Sequence, residues 1–203
     1  MMPRTIKGLG SSENLKYKDS MLNYVYERIT AYFEEPARDK NGYENWHIET
    51  CTKMIECFKG SELKFAYGKA QKLLNIDFKH LLLFRGAKEE YFLYCHTPID
   101  NNVLKTCRVK AGIQCRPNNW SAMDKDEYLK LQNDIRNYLD SDRNIKYRFE
   151  NGEPVPNLVF DYFAWIEGDK NRTVIKYWLN VKRETDYYTS NKQLIDSFLE
   201  NYD

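Results

Sequence analysis

Between Glu62 and Phe84 the chain carries the pattern that most restricts its fold. Leu73, Leu74, Phe78, Leu81, Leu82 and Phe84 recur at helical spacing and cover a wide arc of one helix. A helix apolar over that much of its circumference must be surrounded by other elements, so the spacing predicts a central helix in a layered α-domain. Gly68 is the point at which such a helix would break, and Ser61-Glu62-Leu63-Lys64 reads as its capping segment.

The other elements read mostly as helices. Leu22, Val25, Tyr26, Ile29, Tyr32 and Phe33 set a helix over 18–35, stopped by Pro36. Asn41-Gly42 signals a turn, and Trp46, Ile48, Thr50, Met54, Ile55 and Phe58 a second helix that ends at Gly60. Pro98 opens a short helix over 101–108. Pro117 to Ser121 reads as loop, followed by a helix from Ser121 or Asp124 to Leu139. Pro154 and Pro156 precede another over 158–167. Ile145–Glu150 and Thr173–Lys182 alternate in part, which suits a small β-hairpin, and Ser190–Tyr202 has helical spacing. The expected organisation is mainly α: a loose N-terminal lead over 1–16, a helical domain over 17–167, and a C-terminal extension over 168–203 packed on the same domain.

With 203 residues, 42% hydrophobic and 30% charged, the chain has the composition of an ordinary globular domain with a real core. A net charge of +1 argues against indiscriminate coating of nucleic acid and leaves room for a local basic face. No apolar run approaches a membrane span and the first residues lack an apolar signal core, so a cytoplasmic protein without a membrane partner is expected. The five cysteines, Cys51, Cys57, Cys95, Cys107 and Cys115, contain no CxxC and read as free thiols in a reducing compartment. The three histidines form no metal-ligand pair.

Two residues carry more specific chemistry. Lys72 lies early in the apolar stretch, and Asp100 follows Pro98-Ile99 at the mouth of the next helix. Singly, Lys72 reads as a solvated surface lysine and Asp100 as a helix N-cap. Together, a lysine amine held beside a carboxylate can attack an electrophilic carbon while the carboxylate accepts a proton or stabilises positive charge.

Lys72-Leu73-Leu74-Asn75-Ile76 followed by Pro98-Ile99-Asp100-Asn101-Asn102-Val103-Leu104 resembles the lysine helix and Pro-Val-Asp-x-x-Val segment of helix-hairpin-helix DNA glycosylases. It is most similar to the archaeal-type 8-oxoguanine glycosylases. The resemblance implies a helix-hairpin-helix glycosylase-like helical domain with Lys72 as nucleophile and Asp100 as its electrostatic partner. It also implies base-binding roles for Lys79, seven positions on, and for Asp161 and Trp165 of Asp161-Tyr-Phe-Ala-Trp165. The substrate would be double-stranded DNA with an altered base, an 8-oxoguanine-like lesion or a bulky modified base such as those in phage DNA. No metal, organic cofactor or obligatory protein partner is implied. The chain departs from the family at the hairpin, where Phe65-Ala66-Tyr67-Gly68-Lys69 has one glycine, and at Ile76, which stands where the family has an aromatic. Lys64 and Lys69 are rival nucleophiles.

Lys105, Arg108, Lys110 and Arg116 follow Asp100 with no acid between them, either as a phosphate-contacting strip or as a solvated face. Trp120 either fills the gap left by an extruded base or buries its indole in a turn. Trp46 either lines the base pocket or packs in the core. His96 reads as a satisfied structural histidine. Two rival functions stand beside the enzyme: a non-catalytic nucleic-acid-binding module, and a protein-interaction module of the same fold.

Overall fold

A computed structural model describes residues 6–84, 89–115, 119–141 and 155–168. The expected β-hairpin, the helix over 190–202, the C-terminal extension and Arg116 lie outside the described residues. Among the described residues the chain is helical and has no strand. The helices are α1 (Leu15–Glu34), α2 (Lys40–Glu56), α3 (Tyr67–Phe84), α4 (Asn101–Val109), α5 (Lys125–Asp140) and α6 (Asn157–Gly168). No helix among these residues is long and apolar enough to cross a membrane.

Helix α3 is the central element. It packs on α2, on α5 and on the 3-10 turn Trp120–Ala122, while α4 lies against α6 and α6 against α5. Its Leu73, Leu74, Phe78 and Leu82 are buried, as their spacing predicts. Phe78 is the centre of an aromatic core, with ring centroids of Tyr32 at 5.1 Å, Trp46 at 5.5 Å and Phe33 at 5.9 Å. Contacts of this kind add to area burial by about 0.5–1.5 kcal/mol each.

Three boundaries differ from the sequence expectation. Helix α2 starts at Lys40 because Asp39 accepts from the Gly42 amide (2.7 Å), which draws Asn41-Gly42 into the first turn. Helix α3 starts at Tyr67 rather than at 62, since the Ser61 hydroxyl accepts from Leu63 N in a local turn instead of capping a helix. Residues 6–14 are not a loose lead: Ile6 and Leu9 are buried, and Asn14 Nδ2 donates to Gly8 O (3.0 Å).

Gly68 does not break α3 but lies in its first turn, where its amide donates to Met123 O (3.0 Å). A Cβ built on Gly68 would lie 1.9 Å from Trp120 O, a backbone atom that cannot swing aside. Only glycine permits this approach. Gly68→Ala is therefore expected to lower stability by about 1–3 kcal/mol, the usual cost of forced overpacking. An unchanged urea midpoint would show that α3 and the 119–123 turn are not in close contact.

Candidate active site

The segment Cys95–Asp100 has no regular secondary structure, yet it is buried throughout. Two glutamines satisfy the backbone of Thr97 and Ile99. Gln71 of α3 accepts from Ile99 N (3.1 Å) and donates to Ile99 O (3.0 Å). Gln132 of α5 accepts from Thr97 N (3.1 Å) and donates to Thr97 O (2.7 Å). Each primary amide thus acts as the neighbouring strand would, pairing both polar groups of one residue. The start of α6 is tied to the same segment: Leu158 N donates to Cys95 O (3.2 Å), Thr97 Oγ1 donates to Asn157 O, and Asn157 Nδ2 donates to Gln132 O (2.8 Å).

This frame delivers Asp100 to α3. Asp100 is 6% exposed and its two oxygens have separate partners. Oδ1 accepts from Asn102 N (2.9 Å) and Val103 N (3.0 Å), capping α4. Oδ2 accepts from Lys72 Nζ at 3.1 Å. The helix cap read for Asp100 alone and the lysine partner read for the pair are thus both present in one carboxylate. Lys72 lies in the second turn of α3 rather than at its start, its side chain is only 13% exposed, and its ammonium sits 4.6 Å from the Trp120 ring centroid. Of the rival lysines, Lys64 is exposed and Lys69 donates to Lys64 O.

A second pair repeats the pattern. Lys79 Nζ donates to Asp161 Oδ2 and lies 4.6 Å from the Tyr162 ring centroid. Asp161 is 2% exposed. Burial raises its carboxyl above the ordinary range, against the pull of Lys79, and the more distant Asp100 raises it further while Lys72 lowers it. The two pairs therefore share one electrostatic neighbourhood. Lys72, Ile76 and Lys79 fall at helical spacing on one stripe of α3, with Ile76 half-buried between the lysines. Trp165, one turn after Asp161, is 36% exposed.

Other expected site residues are placed elsewhere. Trp46 is buried in the aromatic core against Tyr32 and Phe78, with the Arg28 guanidinium over its ring. That position corrects the pocket-lining expectation, because α2 directs this indole into the core. Lys105, Arg108 and Lys110 are exposed along α4 and its end. Lys110 joins Lys130, Gln114 and Asn137 around an open cleft of ≈ 730 Å³. Trp120 covers Lys72, a contact that the sequence does not signal because the Gly68–Trp120 approach creates it.

Behind the pairs lies a buried polar chain. Asn75 Oδ1 can only accept, so His47 Nε2 carries the proton between them (3.1 Å), and His47 Nδ1 accepts from Tyr67 OH (3.2 Å). Asn75 Nδ2 donates to Tyr128 OH (2.8 Å), whose own proton goes to His96 Nδ1 (3.0 Å). Both imidazoles are thereby held neutral. Burial depresses His47 to about 3 and His96 well below its ordinary value. Asp77 of α3 moves the other way, pushed up to about 7 by burial.

These shifts fix the sign of the acid response. The histidines bind protons below about pH 6.5 in the unfolded chain but not in the folded one, so their contribution is full above pH 6.5 and falls as the solution is acidified. Asp77 opposes this: from pH 7 down to about 4 the folded state takes up a proton that the unfolded chain does not. Asp77→Asn is expected to steepen the loss of stability between pH 6 and 5 by up to about 1.4 kcal/mol per pH unit, one proton's worth. Urea titrations across that range measure it, and equal slopes in both proteins would remove Asp77 from the balance. Set against known proteins, the chain matches no family model, no curated protein and no solved structure.

Proposed function

We propose that the protein is a DNA glycosylase with a lysine nucleophile, acting on a flipped, altered base. The observation that carries this reading is the shielded Lys72–Asp100 pair at 3.1 Å, with Asp100 oriented by the α4 amides. A carboxylate fixed in this way needs no reorganisation as positive charge develops on a sugar. Asp100 takes a proton from Lys72, and the neutral amine attacks C1′ as the C1′–N bond breaks. The base leaves with the bonding electrons and takes up the proton held by Asp100, which restores the carboxylate. Opening of the sugar ring then gives a Schiff base on Lys72, which can support strand cleavage.

Lys79 and Asp161 supply a donor and an acceptor two turns further along the same stripe of α3, suited to the edge of a flipped base. Trp165 offers a partly exposed ring for stacking. The resemblance to helix-hairpin-helix glycosylases, with α2 and α3 as the helix pair, supports an oxidised purine as the base. Ile76 in place of an aromatic supports a pocket that also takes a bulkier modified base. Exposed Lys105, Arg108 and Lys110 supply phosphate contacts.

The test is incubation with oligonucleotides carrying a panel of altered bases, followed by alkali cleavage and borohydride trapping. A trapped protein–DNA adduct is expected with the wild type, absent in Lys72→Ala. Asparagine caps helices about as well as aspartate, so Asp100→Asn keeps α4 while lowering turnover by orders of magnitude with little change in DNA affinity. Adduct at Lys64 or Lys69, or normal turnover in Asp100→Asn, would refute the assignment of roles.

Arg108 and Lys110 changed together to Ala should weaken binding to all sequences and flatten the log–log salt dependence by about two units. An unchanged slope places the DNA on another face. Salt-dependent DNA binding without an abasic product from any base would identify a non-catalytic binding module instead.

A further inference from the structure

Trp120 reaches Lys72 from a separate, hydrogen-bonded support. Asn119 caps the 3-10 turn Trp120–Ala122: its Oδ1 accepts from Ser121 N (3.1 Å) and from Ser121 Oγ (2.8 Å). Ala122 N donates to Asn119 O (3.2 Å), and the fully buried Met123 ties the turn to α3 by accepting from Gly68 N (3.0 Å). Gly68 lies four residues before Lys72, on the same face of α3. A turn docked on Gly68 therefore presents its indole to Lys72. Trp120 is half-buried against the core, with its ring centroid 4.6 Å from Lys72 Nζ. Among the described residues, Asp100 Oδ2 is the one hydrogen-bond acceptor of that ammonium.

Resting on the glycosylase reading above, we propose that Trp120 is a positioning residue that keeps water from Lys72, so that the amine and not water is the nucleophile at C1′. A water molecule held beside Nζ needs roughly two to four polar partners. The indole face offers none, and Asp100 Oδ1 is already taken by the α4 amides. A sugar carbon has to come within about 3–3.5 Å of the attacking nitrogen. No sugar fits between Nζ and a ring centred 4.6 Å away, so C1′ enters from the side left open by Asp100 and the ring.

The two routes differ in the atom that bonds to C1′. In the lysine route, the amine left neutral by proton transfer to Asp100 gives its lone pair to C1′. The C1′–N electrons leave with the base, which takes the proton from Asp100. In the water route, a water oxygen gives its lone pair to C1′, and Asp100 takes one of its protons and passes it to the leaving base. The sugar is then left as a hydroxyl-bearing abasic site, and Lys72 stays an ammonium. Asp100 serves either nucleophile, so the carboxylate does not choose between them. The indole does, because it fills the place from which a water beside Nζ would reach the sugar.

The experiment uses the full-length protein in two arms. In the first, without DNA, N-hydroxysulfosuccinimide acetate labels the folded protein and the peptides are mapped by mass spectrometry, with exposed Lys64 as internal standard. Lys72 is expected to react slowly in the wild type and in Trp120→Phe. In Trp120→Ala it should react roughly two- to thirtyfold faster, the span set by the strength of a cation–π contact. In the second arm the panel of altered-base duplexes is the probe, 8-oxoguanine first, and borohydride-trapped adduct is divided by total released base. That ratio should fall in Trp120→Ala by a similar factor and return in Trp120→Phe; loss of folded enzyme alone leaves it unchanged. Trp120→Leu keeps an apolar contact to the core without a ring face, and it replaces Trp120→Ala, with the same outcomes expected, if that variant fails to fold. Equal Lys72 labelling with and without the indole, or an unchanged product ratio, would overturn the proposal. Faster labelling with no base released from the whole panel would instead refute the glycosylase reading, and with it the choice of nucleophile, while the cover over Lys72 stands.

Discussion

Two glutamine side chains hold the buried segment Thr97–Ile99 in place, and the candidate site depends on them. An extended stretch inside a helical protein has backbone groups that neither neighbouring helix can satisfy through its own backbone. Leaving such a group unpaired costs about 1–3 kcal/mol. Gln71 and Gln132 meet that demand from opposite sides, one from α3 and one from α5. Since Gln71 lies one residue before Lys72 and Ile99 one before Asp100, the clamp also sets the register of the ion pair. Loss of the Gln71 amide would cost more than its two hydrogen bonds, because the carboxylate and ammonium would no longer be brought to one point.

The polar interior has a second consequence. Burying an ion pair is weak evidence for stability, since desolvation offsets much of the attraction. Here two Lys–Asp pairs line one stripe of α3, and each lysine has an aromatic ring over it. Apolar residues in those positions would pack at least as well. The pairs specify geometry, and the neutral histidine–tyrosine–asparagine chain behind them holds α2, α3 and α5 in one arrangement.

The helices were legible because their signals are local. The apolar arc of α3, Pro36 after α1, and Asp124 at the start of α5 all lie within a turn or two of what they control. Lys72 and Asp100 were also legible as an ordered pair, each at the edge of an apolar run. What the local pattern could not supply was made by distant partners. The start of α3 is fixed by the Gly68 amide on Met123 O, and Trp120 reaches Lys72 through that approach. Gln71, Asn75 and Gln132 carry no local signal of their roles, because the groups they pair with, Ile99, His47 and Thr97, lie tens of residues away. Trp46 sat at a core spacing on α2, and its burial follows that spacing rather than its chemistry.

The placement of Lys72 and Lys79 on one helix makes α3 a ruler. Two turns of helix separate their Cα atoms by about 10.5 Å, and a helix does not stretch. Any slide or roll of α3 is common to both ammoniums. Adjustment of one lysine relative to the other is left to their side-chain torsions, while their acidic partners sit on two separate supports, the cap of α4 and the first turns of α6. A shift between α4 and α6 therefore changes the spacing of the carboxylates without changing that of the amines. Mechanically, the lysines set a fixed scale and the aspartates are the movable jaws.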